Sequence, residues 1–123
     1  MIKTFDKAEA GPGCRGTILG TNIFTGEMEG FLDELVWGFL KKGMKVYPHM
    51  HPQKELYVFV RGKGTMQLGG KEMSVKERDV VFIPPNLMHT AWNDDDEDLE
   101  FILVRAKNLN TWARRLVKLL SVR

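Results

Sequence analysis

The sequence predicts an all-β protein, either a sandwich or a barrel, and three features of the chain support this fold class. Short stretches rich in β-branched and aromatic residues recur along most of the chain, and turn-forming residues bound them. All twelve glycines lie at or before Gly70, interleaved with those stretches. No stretch up to Arg105 shows a sustained period of 3.6 residues. Many short strands with regular turns are typical of sandwiches and barrels.

We predict nine strands on this basis. The first begins within a glycine-rich, loop-like stretch at residues 11–16, the middle ones are separated by glycines, and the last two follow a proline pair and an acidic run. In chain order the strands span Arg15–Leu19, Glu34–Leu40, Lys45–His51, Glu55–Arg61, Gly64–Leu68, Lys71–Val75, Val80–Ile83, His89–Trp92 and Leu99–Arg105.

Two glycine-containing loops predict hairpins, because glycine readily adopts the positive φ of tight hairpin turns. Gly62-Lys63 would join the fourth and fifth strands and pair Phe59 with Met66. Gly69-Gly70 would join the fifth and sixth strands. The acidic run at residues 94–98 fits no EF-hand spacing and is predicted to be a solvated turn.

The tail changes character after residue 106. Thr111 is a plausible N-cap for a helix over Trp112–Val122. At 100° per residue the apolar side chains of that stretch share one face, and Arg114, Arg115 and Lys118 lie opposite. We therefore expect a barrel over residues 1–106 and a short amphipathic helix within 107–123. The helix would pack on the barrel or on a partner subunit.

Composition limits the number of domains, the partners and the cellular location that can be expected. The chain has 123 residues, 43% hydrophobic and 28% charged, which is typical of one globular domain. Its net charge of +2 favours neither nucleic acid nor membrane as a partner. The single cysteine, Cys14, forms no internal disulfide and is expected to be a free thiol without a special role. The start of the chain lacks an apolar signal region, so a cytoplasmic location is expected.

The spacing of the three histidines indicates a metal-binding site. His49 and His51 are two residues apart, which places both on one face of an extended segment. Glu55 follows at even spacing, and a barrel could bring His89 across from the pair. Three imidazoles and a carboxylate suit a divalent transition metal (Mn, Fe, Ni, Cu, Co or Zn) better than Mg or Ca.

These residues resemble the two motifs of the cupin superfamily. The first motif is Gly, five residues, His, one, His, three or four, Glu, six, Gly, and this chain matches it from Gly43 to Gly62. The second is Gly, five residues, Pro, one, Gly, two, His, three, Asn. The chain matches it at Pro84, His89 and Asn93, but has Arg78 and Asn86 at the two glycine positions.

The resemblance covers about residues 33–106 and is closest to small single-domain members of the superfamily. It implies a double-stranded β-helix, which is a small jelly-roll barrel. It also implies that His49, His51, Glu55 and His89 are metal ligands inside the barrel. Small cupins commonly pair as homodimers by exchanging edge strands, and Arg15–Leu19 is the candidate strand here.

The pocket around the metal is expected to be mostly apolar. Inward parity places Tyr47 and Tyr57 on the ligand face as possible pocket residues, with Phe59 and Met66 in the core. No convergent set of arginines and lysines is evident, and Lys45 is the one basic residue with the right parity.

Two functions remain open at this point. The first is a metal-dependent enzyme with oxygenase, isomerase or lyase chemistry on a small organic molecule. The second is a non-catalytic module that binds or senses a small molecule, because no general acid or base is evident beyond the ligands. A transcription regulator is disfavoured because the residues before the motifs show no helix-turn-helix pattern.

Overall fold

The computed structural model describes residues 1–24 and 30–107 of the chain. Within this part, nine strands form two antiparallel sheets, which confirms the all-β prediction. One sheet has the order β1-β2-β3-β9-β4-β7 and the other the order β6-β5-β8. The strands are β1 (Gly11–Gly13), β2 (Ile18–Asn22), β3 (Leu32–Leu40), β4 (Glu55–Arg61), β5 (Lys63–Leu68), β6 (Lys71–Lys76), β7 (Val80–Ile83), β8 (His89–Trp92) and β9 (Leu99–Ala106).

A short 3₁₀ turn at Lys7–Glu9 precedes β1, and Asp6 caps it through its side chain. The predicted helix at Trp112–Val122 lies outside the described residues. Among those residues, no helix has the length and apolar character needed to cross a membrane.

Strict alternation on the two central strands builds the core. On β4, Glu55, Tyr57 and Phe59 are buried while their neighbours are more exposed. On β9, Leu99, Phe101 and Leu103 are buried in the same way. The Tyr57 and Phe101 rings lie 5.1 Å apart between centroids, in the range where aromatic pairs attract. The inward parity predicted for β4 is therefore confirmed.

The hairpin predicted at Gly62 is wrong. β4 pairs with β7 and β9, whereas β5 pairs with β6 and β8, so Phe59 lies opposite Phe101 and not opposite Met66. Gly62 has a φ of +83°, and a Cβ there would overlap the carbonyl oxygen of Asp98. The chain passes from one sheet to the other at this glycine. The hairpin at Gly69-Gly70 is confirmed, since Leu68 lies opposite Lys71.

The segment predicted as a strand at Lys45–His51 is not part of either sheet. It is held by two isolated bridges, Lys45 to Trp92 and His49 to His89. Pro48 has no N–H to donate, and the Tyr47 N–H is taken by the Thr17 hydroxyl, so a continuous ladder cannot form. The histidine pair therefore lies on an extended but irregular segment.

The N-terminal strand differs from the prediction in position. Cys14, Arg15 and Gly16 all have positive φ and form a turn, so the strand begins at Ile18 and not at Arg15. β1 was not predicted, because glycine and proline rarely build strands. β2 pairs with β1 and β3 of its own chain.

The two departures from the glycine positions of the second motif keep the turn geometry. Arg78 has a φ of +77° and Asn86 a φ of +59°, both in the left-handed region that glycine favours. The Arg78 N–H donates to Phe59 O at 2.8 Å, and the Asn86 N–H donates to His51 O at 2.8 Å. These hydrogen bonds hold both turns in place with non-glycine residues.

Candidate metal centre

The three histidines meet where the irregular segment faces β8. His49 and His89 exchange backbone hydrogen bonds of 3.2 and 2.9 Å. The ring centroids lie 4.4 Å apart for His49 and His89 and 4.9 Å apart for His51 and His89. One ring nitrogen from each of the three lies within 4.8 Å of the others. The fold thus brings the three sequence-predicted histidines into one cluster able to hold a metal ion.

Each imidazole is oriented by a backbone carbonyl. The Nδ1 atoms lie 2.7 Å from Tyr47 O for His49, 3.0 Å from Gln53 O for His51 and 2.8 Å from Leu87 O for His89. A carbonyl only accepts, so Nδ1 must carry the proton in all three rings. The Nε2 atoms are then left with a lone pair, which is the form that ligates a metal.

Glu55, at the start of β4, lies beside the histidine cluster. Its Oε1 lies 3.3 Å from His89 Nε2, and its Oε2 lies 3.5 Å from His51 Nε2. His51 Nε2, His89 Nε2 and Glu55 Oε1 are all buried without a hydrogen-bond partner. Lone pairs that face a carboxylate repel one another unless a proton or a cation lies between them, so this donor set fits a divalent metal ion.

Arg105 holds the carboxylate of Glu55 and was missed from the sequence. Its Nε lies 3.1 Å from Glu55 Oε2, and its Nη1 lies 3.2 Å from Glu34 Oε2. The signal was present, because Arg105 continues the inward parity of Leu103 on β9 and pairs with Glu34 on β3. Arg105 therefore binds Oε2, which also faces His51, and leaves Oε1 facing His89.

Burial and neighbouring charges shift the pKa values of Glu55 and His51. Burial raises the pKa of the Glu55 carboxyl, but the His89 imidazole and the Arg105 guanidinium outweigh burial and leave that pKa below its usual value. Burial lowers the pKa of His51. Both shifts favour an ionised carboxylate and a neutral imidazole, which are the protonation states needed for metal ligation.

A cavity of about 470 Å³ adjoins the cluster, and His49 forms part of its wall. Tyr47 and Tyr57, the two predicted pocket residues, both line it. Tyr57 is fully buried, and burial raises the pKa of its hydroxyl well above the usual value, so the hydroxyl stays protonated. Lys45 does not line the cavity and lies over the Trp92 ring.

Cys14 is a free thiol, as predicted, but it contacts the histidine cluster. Its Sγ lies 3.7 Å from His49 Nδ1, and the residue lines the cavity. The contact with His49 lowers the pKa of the Cys14 thiol. Reciprocally, the thiol raises the pKa of His49. This contact was not predictable from the residues alone, because it depends on where the irregular segment lies against the turn after β1.

Comparison with known proteins agrees with this geometry. A family model described as a cupin domain matches residues 36–105, which is more than half of the chain. The chain is a cupin. An uncharacterised protein of Methanocaldococcus jannaschii is 27% identical over 104 residues, which cover 83% of each chain. Auxin-binding protein 4 of Zea mays is 29% identical over 72 residues, or 50% of this cupin and 35% of that protein.

Solved structures show the same fold. A cupin 2 conserved barrel domain protein from Salinispora arenicola matches with a TM-score of 0.77 and 19% identity, over 96% of both chains. A predicted oxalate decarboxylase from Thermotoga maritima matches with a TM-score of 0.74 and 23% identity, over 86% of this cupin and 100% of that chain. At these identities the likeness shows the jelly-roll barrel of the cupins and no particular activity.

Proposed function

We propose that this cupin is a metal-dependent enzyme that acts on a small organic molecule. His49, His51, Glu55 and His89 would hold one divalent transition metal. The observation that carries the proposal is the convergence of buried, unpartnered donor atoms on His51, His89 and Glu55. Each is a lone-pair atom whose burial is unfavourable without a cation.

Nitrogen and carboxylate donors suit Mn, Fe, Co, Ni, Cu or Zn. Such an ion, when bound, supplies Lewis acidity toward a substrate oxygen and, for some of these metals, redox chemistry. The chain itself would contribute the surroundings. Tyr57 offers a protonated hydroxyl as a hydrogen-bond donor inside the cavity, while Arg105 keeps Glu55 ionised and fixed in direction.

Oxygenase, isomerase and lyase reactions are all compatible with such a site. The Thermotoga maritima neighbour is described as a predicted oxalate decarboxylase, which supports including lyase chemistry in a screen. A second candidate function is non-catalytic binding of a small molecule, and the Zea mays relative named as an auxin-binding protein supports it.

Turnover separates these two functions. The protein loaded in turn with Mn, Fe, Co, Ni, Cu or Zn would be incubated with small organic acids, phenols and sugars, while oxygen uptake and product are followed. The proposal expects turnover that depends on one metal and is lost in Glu55→Gln but kept in Glu97→Gln, a matched change at an exposed glutamate. Saturable binding without turnover by any metal form would favour the binding function.

The homodimer and the cytoplasmic location stay predictions. Leu56, Val80 and Phe82 are exposed on the β4 and β7 pair, with exposed fractions of 38%, 61% and 52%. Contiguous apolar surface of this kind is typical of subunit contacts. Sedimentation velocity of the full chain would give a dimer mass if the prediction is right and a monomer mass if it is wrong.

A further inference from the structure

The turn between β1 and β2 has a costly backbone conformation. Cys14, Arg15 and Gly16 have φ values of +44°, +59° and +79°, a region that glycine adopts freely, asparagine tolerates and most other residues enter at a cost. Strained residues of this kind are concentrated at functional sites. The Thr17 hydroxyl donates to Cys14 O at 2.7 Å and accepts from the Tyr47 N–H at 2.8 Å. The turn is thus tied to the segment that carries His49.

The turn places Arg15 on the wall of the cavity. The Arg15 guanidinium lies over the Tyr47 ring, 4.3 Å from its centroid, and both residues line the cavity. Stacking on an aromatic ring limits the freedom of the long side chain and leaves the edge of the guanidinium fork available. Arg15 is therefore oriented before any ligand arrives.

The two arginines of the cavity differ in their partners. Arg105 is neutralised by Glu34 and Glu55. Arg15 forms no ion pair with any acidic residue of the described ranges 1–24 and 30–107. A cation oriented on a cavity wall without an acidic partner is a ready site for an anion.

We propose that Arg15, stacked on Tyr47, recognises a carboxylate, and that the ligand of this cavity is a small organic carboxylate. The guanidinium fork matches a carboxylate in a bidentate arrangement. Ile18, Val36, Val46 and Leu103 give the cavity apolar walls for the hydrocarbon part of the ligand. A single free arginine suits a singly charged group better than a phosphate, which usually requires more cations.

The inference rests on the proposed function, because the substrate of the enzyme would be the molecule held by Arg15. With a divalent ion on the histidines, the neighbourhood of the cavity becomes net positive. The ion and Arg15 then outweigh the single excess negative charge of the group formed by Glu34, Arg105 and Glu55. An acid with a second oxygen donor would fit both positive centres.

Calorimetric titration with charge-matched probe pairs tests the inference. The probes are butyrate and butyramide, phenylacetate and phenylacetamide, and succinate and succinamide, each added to the metal-loaded full chain. We expect at least one carboxylate to bind at least tenfold more tightly than its amide. Equal binding within every pair, tighter binding of inorganic phosphate than of any carboxylate, or no binding of any probe would overturn the inference.

Single substitutions test which residue is responsible for the preference for a carboxylate. Arg15→Asn tolerates the left-handed backbone and so keeps the turn, and it should lose at least tenfold in carboxylate affinity with an unchanged affinity for the amide. Arg15→Lys should recover part of the loss, and Tyr47→Leu should weaken binding because the stacking surface is gone. Arg61→Gln, at the far end of β4, should leave binding unchanged. Full carboxylate affinity in Arg15→Asn would overturn the inference.

Metal content, measured on the same samples, separates this inference from the proposed function. If carboxylate binding depends on Arg15 while the protein binds no metal, the recognition site stands and the metal-dependent enzyme fails. If metal binds in a one-to-one ratio but no carboxylate is preferred over its amide, the recognition site fails and the metal centre stands.

Discussion

Two arginines at opposite ends of the β4 and β9 pair make ion pairs of nearly the same length in different surroundings. Arg61 Nε lies 3.0 Å from Glu97 Oε1, and these side chains are 62% and 53% exposed. Arg105 Nε lies 3.1 Å from Glu55 Oε2, where the exposed fractions are 22% and 0%. Water and salt screen the charges of the first pair. The second pair is buried, so each of its charges would be left uncompensated if the other were removed. Burial, more than the distance between the charged atoms, therefore decides how much each pair affects stability.

The comparison extends to the two ends of the barrel. At the Arg61 end, which we call the ion-paired rim, the acidic run is matched by basic side chains: Lys7 with Asp98, Lys42 with Asp96, Lys63 with Asp95 and Arg61 with Glu97. At the Glu55 end, about 20 Å away along the strand, donor atoms remain without partners. The charges of the rim are paired within the protein itself, whereas the unpartnered donor atoms at the other end fit a cation.

The largest expected effect comes from matched changes of the two glutamates. Glu55→Gln removes a carboxylate donor and should lower metal affinity at least about a hundredfold, since even outer-shell changes cost about 10–100-fold. Glu97→Gln at the rim should leave metal affinity unchanged. Competition titration with a chromophoric chelator measures both. Equal affinities in the two variants would show that Glu55 is not a ligand.

The next effect concerns the two arginines. Arg105→Met leaves the buried Glu55 carboxylate without its cation and should destabilise the metal-free protein by about 3 kcal/mol, as is usual when one partner of a buried pair is removed. Arg61→Met should leave the urea midpoint nearly unchanged. Added metal should restore part of the stability lost in Arg105→Met, because it supplies a cation at the same carboxylate. A loss of stability in Arg61→Met as large as that in Arg105→Met would show that burial does not decide the contribution of these ion pairs.

A smaller effect is expected from Cys14. The hydrogen bond with the thiol raises the pKa of His49, and protons compete with a metal for a histidine. A histidine with a raised pKa yields to the metal only at higher pH. Cys14→Ala should therefore move the midpoint of the metal-binding pH profile to lower pH. A midpoint that stays in place or moves to higher pH would show that the thiol does not control His49.

The smallest effect is expected at the ion-paired rim. Lys42 and Asp96 have exposed fractions of 62% and 90%, and exposed pairs typically contribute about 0–1 kcal/mol. The Lys42→Met variant should change the free energy of unfolding within that range, with any difference vanishing at high salt. A larger loss that persists in 1 M salt would mean that the rim contributes to the core.

Much of the fold was predictable, because alternation along β4 and β9 encodes which side chains face inward. Turn residues located most strand ends for the same local reason. It was harder to predict which strands pair with one another. The sequence around Gly62 favours a hairpin, but the carbonyl of Asp98 lies against that glycine, and its position depends on contacts distant in sequence.

The residues of the candidate metal centre were predictable for a different reason. A spacing of two on an extended chain places His49 and His51 on one face, and the spacing of the two motifs identifies Glu55 and His89 as the other candidate ligands. The surrounding residues were not predictable in the same way. Cys14 contacts His49 only because a left-handed turn, which begins with two non-glycine residues, directs it there. Arg105 was visible in the β9 pattern and was overlooked because charged side chains rarely face a core.

Metal analysis of the purified full chain shows directly whether the histidine cluster binds a metal ion. After reconstitution and removal of free metal, we expect about one divalent transition metal ion per chain, and nearly none in a folded His89→Ala variant. Circular dichroism would establish that the variant keeps its strands. A wild-type chain that takes up no metal from Mn, Fe, Co, Ni, Cu or Zn would show that the cluster is not a metal site, and equal metal content in the two proteins would show that His89 is not a ligand.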